Sequence, residues 1–187
     1  MKYDLITIGD IKLDTFVVLD EANISCELRM PECKLCLDYG AKIDVDVVDS
    51  QIAGSAPNVA VGLARMKKRT SILSVRGEDT TRPLAIEHLK REGVDTSLIE
   101  IIKKEKSTFS VVLNYKGEKT ILTGHIKHQY HLPKTFPKPV WLYVGEMGEG
   151  YEKIYKQVID YAKKDGVMIA MNPGSIQIEE RKKSLYD

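Results

Sequence analysis

The stretch AGSAPNVAVGLARM, residues 53–66, decides the fold. Its apolar side chains recur at helical spacing, Ser55 is a candidate N-cap, and Pro57 suits a first turn. The small residues around Gly54 would let a ligand approach first-turn amides that have no partner inside the helix. Asn58 offers a donor and an acceptor, which suits a hydroxyl group. A tightly packed, well-capped helix without a ligand explains the same residues equally well.

On both sides of this helix, short apolar runs alternate with helical patterns. The predicted strands are Tyr3–Gly9, Thr70–Val75, Val140–Val144 and Val167–Met171. One further helix is predicted over Glu152–Lys164, and another begins at a Thr80 or Thr81 cap and ends at Gly93. Strands that alternate with helices indicate right-handed crossovers and a parallel sheet, so the predicted fold class is α/β.

Between the first strand and the helix, the pattern changes to short runs of alternating polarity. This alternation predicts that residues 15–50 form a small antiparallel β flap with one solvated face. Its predicted strands are Thr15–Leu19, Ser25–Met30, Lys34–Asp38 and Lys42–Val48. A hairpin around Lys116-Gly117, residues 107–123, is a second candidate contributor to the same flap. We expect residues 1–187 to form one domain that carries this flap.

Two acidic residues, Asp10 and Asp14, follow the first predicted strand. Open parallel sheets bind ligands beyond the carboxyl ends of their strands, and a carboxylate there can accept hydrogen bonds from a polyol. Aspartate also caps turns, and position alone favours that interpretation.

Residues 53–66 resemble the N-terminal signature of ribokinase-like (PfkB-family) sugar kinases, G-G-x-x-x-N-x-A-x-x-x-A-x-L. Four other pieces fall in family order: Ile8-Gly9-Asp10 with Asp14, Arg76-Gly77-Glu78-Asp79, Gly93-Val94-Asp95-Thr96 and Met171-Asn172-Pro173-Gly174-Ser175. Five pieces in the correct order make the resemblance specific.

The resemblance implies transfer of the ATP γ-phosphate, with Mg²⁺, to a hydroxyl of a sugar or nucleoside. It places Asp14 on the substrate hydroxyls, and Gly54, Ser55 and Asn58 at the sugar from the start of the helix. Glu146 falls where some members have an acid that contacts the sugar. The flap becomes a lid that excludes water during transfer and, in many members, pairs two subunits into a homodimer.

The chain departs from the family pattern at several points. Ala53 replaces the first signature glycine, and Arg76 replaces a small apolar residue. The second signature, D-T-x-G-A-G-D, which supplies the catalytic base and an anion hole, does not occur in the 187 residues, and neither does the N-x-x-E motif. We therefore expect an incomplete domain without the C-terminal part of the fold, with no catalytic residue and no tight binding of ATP or Mg²⁺. The alternative is a non-catalytic, truncated module for sugar binding or dimerisation.

Composition restricts the partners. Lysine and arginine number 28 against 27 acidic residues, a net charge of +1, which predicts neither nucleic-acid nor membrane binding. The first residues show no secretory signal, so a cytoplasmic location is expected. A dinucleotide-dependent oxidoreductase is disfavoured because no G-x-G-x-x-G follows the first strand.

Three other features resemble functional motifs. Cys26, Cys33 and Cys36 are too few for a disulfide framework, and their C-x-x-C has no second pair, so we expect structural cysteines. His125, His128 and His131 have no acidic partner nearby in sequence and predict a solvated or substrate-proximal loop, with no metal. The loop 145–150 is rich in glycine, but its two glutamates would repel phosphate.

Overall fold

A computed structural model describes residues 3–26 and 33–180. The strands are β1 (Tyr3–Ile8), β2 (Lys12–Leu19), β3 (Asn23–Cys26), β4 (Cys33–Cys36), β5 (Val45–Ala53), β6 (Thr70–Gly77), β7 (Ile99–Ile102), β8 (Phe109–Tyr115), β9 (Glu118–Gly124), β10 (Pro139–Val144) and β11 (Met168–Met171). The helices are α1 (Ser55–Arg65), α2 (Arg82–Arg91), α3 (Glu152–Asp165) and α4 (Ser175–Glu180). The chain divides into two compact units.

The first unit is built on a five-stranded parallel sheet of order β11-β10-β1-β6-β7. It contains the residues up to Leu13, residues 52–108 and the residues from His125 onward. The parallel α/β fold predicted from the sequence is confirmed. Strand β7 was not predicted, because its four residues, Ile-Glu-Ile-Ile, are too few to show a period.

Both faces of this sheet are covered, which explains why its strands β1 and β6 are buried along almost their whole length. One face packs with α1 and α2 in a cluster of Ile11, Ala56, Ala60, Ile72, Ala85, Leu89 and Val94. The other face packs with α3 in a larger cluster that includes Ile6, Ile8, Leu73, Val75, Leu142, Val144, Ile154 and Val158. Neighbouring residues of β6, Ile72 and Leu73, belong to opposite clusters, as the two-residue period of a strand requires.

The second unit contains residues 14–51 and 109–124. Its four-stranded sheet has the order β5-β2-β8-β9, and β8 and β9 pair antiparallel. A small cluster of Val17, Leu19 and Leu113 forms its core. The small β-sheet predicted beside the parallel core is therefore present, and the hairpin around Lys116-Gly117 belongs to it.

The sequence predicts structural cysteines without a disulfide framework, and the structure shows one disulfide bond among them. Cys26 and Cys33 lie directly opposite each other on the antiparallel pair β3–β4, with Cα atoms 4.3 Å apart, and form a disulfide. Cys36 is free and exposed. The C-x-x-C spacing drew attention to Cys33 with Cys36, whereas the strand register brings Cys33 to Cys26.

Two other predicted segments extend past the described residues. The strand predicted over Ser25–Met30 overlaps β3, and its residues 27–30 lie outside the described part. A helical tail was predicted over Ile178–Asp187; α4 begins earlier, at Ser175, and residues 181–187 lie outside the described part. Within the described ranges, no helix combines the length and the apolar character that crossing a membrane requires.

Candidate functional site

The carboxyl ends of β1 and β10 are joined by backbone hydrogen bonds. The Gly145 N–H donates to the Ile8 carbonyl at 2.8 Å, and the Asp10 N–H donates to the Glu146 carbonyl at 3.0 Å. Asp10 and Glu146, two predicted candidates separated by 136 positions, are therefore neighbours in space. Parallel strands bring these ends to one edge of the sheet, where ligands bind in folds of this kind.

The start of α1 lies against the same edge. Gly54, rather than the predicted Ser55, is the N-cap residue. Gly54 has φ of 121°, and a Cβ atom on it would lie 2.5 Å from the Asp10 carbonyl oxygen. The Ser55 hydroxyl is used elsewhere, because it accepts a 2.8 Å hydrogen bond from the Glu146 N–H. The small residues here allow α1 to approach the strand-end loops closely.

Replacing Gly54 by alanine is expected to lower the free energy of unfolding by about 1–3 kcal/mol, because the added Cβ meets strained backbone and the Asp10 carbonyl. The matched control is Gly62→Ala in the same helix. A Cβ atom on Gly62 meets nothing within 4 Å, so the change should raise stability by about 0.5–1 kcal/mol. Urea unfolding measures both, and equal effects of the two changes would contradict the prediction.

Lys12 and Glu146 form an ion pair, with Lys12 Nζ 2.7 Å from Glu146 Oε1. The Lys12 side chain is 7% exposed and that of Glu146 is 26% exposed. The Glu146 side chain fills the space beside Gly174, where a Cβ atom would collide with Glu146 Cγ. Lys12 was not a predicted site residue, although it lies between the two aspartates that were considered.

Asp10 is buried, with 3% of its surface exposed, and does not act as a simple turn cap. Its Oδ1 accepts a 2.5 Å hydrogen bond from the Tyr130 hydroxyl, while its Oδ2 is buried without a hydrogen-bond partner. Burial, followed by the charge of Asp10, holds the pKa of Tyr130 well above its ordinary value. Tyr130 therefore remains a neutral donor to Asp10 at physiological pH.

Each of the three clustered histidines has an acidic partner that comes from a distant part of the chain. His125 Nδ1 lies 3.9 Å from Asp10 Oδ2, and His125 Nε2 lies 3.9 Å from Glu146 Oε1. His128 lies 3.1 Å from Glu105, and His131 lies 3.7 Å from Glu100. Each acid is more than 20 positions away in sequence, so spacing gave no sign of it. His125 alone among these three lies at the strand-end edge.

Arg76, the unusual residue of the V-G-x-D-like piece, is fully buried. Its Nη1 donates to the Ile11 carbonyl at 3.0 Å, and its Nη2 donates to the Thr81 hydroxyl at 2.6 Å. Burial lowers the pKa of Arg76, while the charges of the Asp79 and Asp10 carboxylates oppose that shift. Arg76 thus supports the loop that carries Asp10 and Lys12.

Asp79, the acid of the same piece, accepts hydrogen bonds from the backbone around it. Burial would raise the pKa of Asp79, but hydrogen bonds from Thr81 and Ser107 outweigh it and lower that pKa. The Thr81 N–H donates to Asp79 Oδ1 at 3.0 Å, and the Ser107 N–H donates to Oδ2 at 2.5 Å. Asp79 therefore has a structural role at the start of α2.

Gln177, which the sequence did not single out, ties two strand-end loops together. It is fully buried; its Nε2 donates to the Met147 carbonyl at 2.8 Å, and its Oε1 accepts from the Gly174 N–H at 2.9 Å. A buried, fully bonded amide fixes the loops after β10 and β11. A glutamine in a short polar helix gives no recognisable signal in a single sequence.

The two remaining predicted residues lie in different units. Asn58 is exposed on the first turn of α1, and its N–H donates to the Gly54 carbonyl at 3.0 Å. It therefore stands on the same helix start as Gly54 and Ser55. Asp14 lies on β2 in the second unit, half-buried, with Oδ1 lacking a hydrogen-bond partner. Its place at the substrate remains a prediction.

Two observations on the described residues concern the metal and the nucleotide that the family resemblance implies. No group of three or more histidine, cysteine, aspartate or glutamate side chains in residues 3–26 and 33–180 is placed to hold a metal ion. In the loop 145–150, the Gly145 and Glu146 N–H groups already donate to Ile8 and Ser55. Those two amides are therefore not free to bind phosphate.

The parallel sheet, the helix packed by its small residues against the strand ends, and the polar cluster there define a ribokinase-like α/β protein. The pfkB family carbohydrate kinase profile matches residues 14–184. The chain belongs to this family.

Individual relatives agree with this assignment. The chain is 35% identical over 71 residues to the 2-dehydro-3-deoxygluconokinase of Bacillus subtilis, an alignment that covers 38% of this chain and 22% of the relative. Ribokinase from Giardia lamblia has a TM-score of 0.72 at 15% identity, over 94% of this chain and 52% of that chain. The ribokinase of Arabidopsis thaliana, complexed with ribose and ATP, has a TM-score of 0.69 at 19% identity, over 91% and 53%. The chain thus spans about half the length of these solved structures.

Proposed function

We propose that this chain carries the substrate-binding half of an ATP-dependent kinase that phosphorylates a hydroxyl of a sugar or nucleoside. The supporting observation is the cluster of Asp10, Lys12, His125 and Glu146 at the strand-end edge beside α1. It combines carboxylate acceptors with a buried ammonium donor, and polyhydroxy ligands need both. Bound ATP would supply the phosphoryl group and Mg²⁺ would balance its charge.

In this proposal Glu146 accepts hydrogen bonds from the substrate. Its Oε1 is bound to Lys12, and the side chain is still partly exposed, so a ligand can reach it. Asn58 contributes from the first turn of α1, and Asp14 contributes from β2. Because the second family signature does not occur in the 187 residues, this chain alone is proposed to bind substrate weakly and to transfer no phosphate.

The second unit is proposed to act as the lid and to pair two copies of the chain. Its β5 and β9 strands expose Val47, Val48, Ile121 and Leu122. Exposed apolar side chains on the two edge strands of the sheet favour a protein interface.

We expect at least one uncharged sugar or nucleoside to raise the melting temperature of the protein, because a ligand that binds only the folded state stabilises it. The panel includes ribose, fructose and adenosine, and it adds the anionic 2-dehydro-3-deoxygluconate as a charged comparison. Glu146→Gln should weaken binding of the active compound by about tenfold or more, since charge-assisted hydrogen bonds contribute about 1.5–3 kcal/mol.

The matched control is Glu149→Gln, three positions along the same loop. Glu149 is 68% exposed and pairs with Lys127 at 3.2 Å, so its loss should leave binding unchanged. Equal weakening by both changes would contradict the role of Glu146. A panel in which no compound shifts the melting temperature, or ATP-dependent phosphorylation by the 187-residue chain, would contradict the proposed function.

A further inference from the structure

His125 is the residue at which the chain re-enters the first unit after β9. Its side chain is 23% exposed, and each ring nitrogen faces one carboxylate, Asp10 or Glu146, at 3.9 Å. An imidazole between two acids at a strand-end edge is unusual for a solvated loop. No role for it follows from the family motifs found in the sequence.

Two unsatisfied atoms face each other in this arrangement. Asp10 Oδ2 and His125 Nδ1 are both buried without a hydrogen-bond partner. Leaving a buried donor or acceptor unpaired costs about 1–3 kcal/mol, and more when the group is charged. A movement of less than about 1 Å brings an Nδ1–H within hydrogen-bond distance of Asp10. Tyr130 holds the other oxygen of Asp10, so the carboxylate is fixed and the ring must turn toward it.

The hydrogen bond from Nδ1 to Asp10 also determines whether the other ring nitrogen, Nε2, carries a proton. A neutral imidazole that donates from Nδ1 has a lone pair on Nε2, because the partner of one nitrogen sets the tautomer. Nε2 then faces the partly exposed Glu146, whose Oε1 is held 2.7 Å from the Lys12 ammonium. A hydroxyl matches these groups chemically, since it can donate to Nε2 and accept from Lys12. A carboxylate or phosphate there would meet the Nε2 lone pair and two carboxylates.

We propose that His125 is a further substrate-binding residue, fixed by Asp10 as the Nδ1–H tautomer, whose Nε2 accepts a hydrogen bond from an uncharged hydroxyl of the ligand. The sugar-binding part of this inference rests on the proposed function. The tautomer is a property of the protein alone.

The tautomer is tested first, without ligand. Long-range ¹H–¹⁵N correlation spectra of the 187-residue protein distinguish protonated from unprotonated ring nitrogens, and the His125→Asn variant assigns the signal. We expect Nδ1 of His125 to be protonated and Nε2 unprotonated at pH 8. Asp10→Asn should shift His125 toward the Nε2–H tautomer. An Nε2–H tautomer in the wild-type protein would overturn the inference.

The second test uses the sugar or nucleoside that stabilises the wild-type protein. The amide of asparagine can reach Asp10 but not the Nε2 position, whereas that of glutamine reaches close to it. His125→Asn should therefore weaken binding about tenfold, and His125→Gln should recover most of the loss. The control is His131→Asn, because His131 is 52% exposed and pairs with Glu100.

The outcomes separate the two proposals. A wild-type protein that binds no compound of the panel overturns the proposed function, and with it the substrate contact of His125. If the wild-type protein binds a sugar and the His125→Asn variant binds it equally tightly, only the inference about His125 is overturned. A charged analogue, with a carboxylate in place of the contacted hydroxyl, should bind more weakly than the parent sugar.

Discussion

Replacing Arg76 by methionine is expected to lower the free energy of unfolding by about 3–5 kcal/mol, the cost of removing one partner from a set of buried charges. Arg76 has no exposed surface and Asp10 has almost none. Methionine fills a similar volume but cannot donate, so the Ile11 carbonyl and the Thr81 hydroxyl lose their bonds to Arg76. The buried carboxylate of Asp10 loses a compensating charge at the same time.

A double-mutant cycle separates lost charge compensation from lost packing. In the Asp10→Asn background, the cost of Arg76→Met should be smaller by about 0.5–3 kcal/mol, the range found for residues within one polar network. The control is Arg65→Met. Arg65 is 66% exposed and its Nε lies 2.7 Å from Glu92, and exposed ion pairs contribute only about 0–1 kcal/mol.

Urea unfolding, followed by the fluorescence of Trp141, measures the four proteins of the cycle and the Arg65→Met control. A cost below about 1 kcal/mol for Arg76→Met would show that the buried network does not stabilise the fold as described. A variant already unfolded without urea agrees with the prediction. Equal costs in the wild-type and Asp10→Asn backgrounds would assign the effect to packing and to the lost bonds at Ile11 and Thr81.

Local patterns predicted most elements of the core to within one or two residues. The helix predicted over residues 55–66 is α1 (Ser55–Arg65), and the strand predicted over residues 140–144 is β10 (Pro139–Val144). These segments have strong local signals, such as apolar periodicity and a proline in the first turn. The pairing of Cys26 with Cys33 depends on the register of β3 and β4, and local sequence patterns do not determine a register.

The site was harder to predict than the fold, because its contacts join distant parts of the chain. Ser55 was chosen as a helix cap, yet its hydroxyl binds the backbone of Glu146, 91 positions later. His125 meets Asp10, 115 positions earlier, only because the loop after β9 returns to the end of β1. Contacts of this kind depend on strand order, which residue spacing does not encode.

The position of Arg76 in a predicted buried strand indicates a buried acid nearby, which the sequence analysis did not predict. Arg76 follows the apolar run of β6, in a segment predicted to be a buried strand. A charged side chain is almost never fully buried without a partner. That rule would have predicted a buried acid near Arg76, and Asp10 at the end of the neighbouring strand β1 was available to fill the role.

The open edge of the parallel sheet is expected to make the protein self-associate. Within residues 3–26 and 33–180, β11 pairs with β10 on one side and with no strand on the other. It exposes Met168, Ile169 and Met171. An unpaired strand with apolar side chains is a template for pairing with another chain. We expect dimers or larger species at micromolar concentration.

The backbone pattern identifies a substitution that blocks this edge. The Asn172 N–H donates to the Val144 carbonyl of β10. Backbone groups two residues apart in a strand point to the same side, so the N–H groups of Ile169 and Met171 point to the open side. Ile169→Pro removes an outward donor without breaking the bonds to β10. Ile169→Lys places a charge on the edge and changes no backbone donor.

Both variants should convert the associated species to monomer, measured by sedimentation velocity and light scattering. Val47→Lys is the matched comparison, because Val47 is an exposed apolar residue of β5 in the second unit. If Val47→Lys dissociates the protein and the Ile169 variants do not, the lid forms the interface and the prediction for β11 is wrong. A wild-type protein that stays monomeric at millimolar concentration would contradict both interfaces. An open apolar edge strand is expected to pair with another chain unless something covers it.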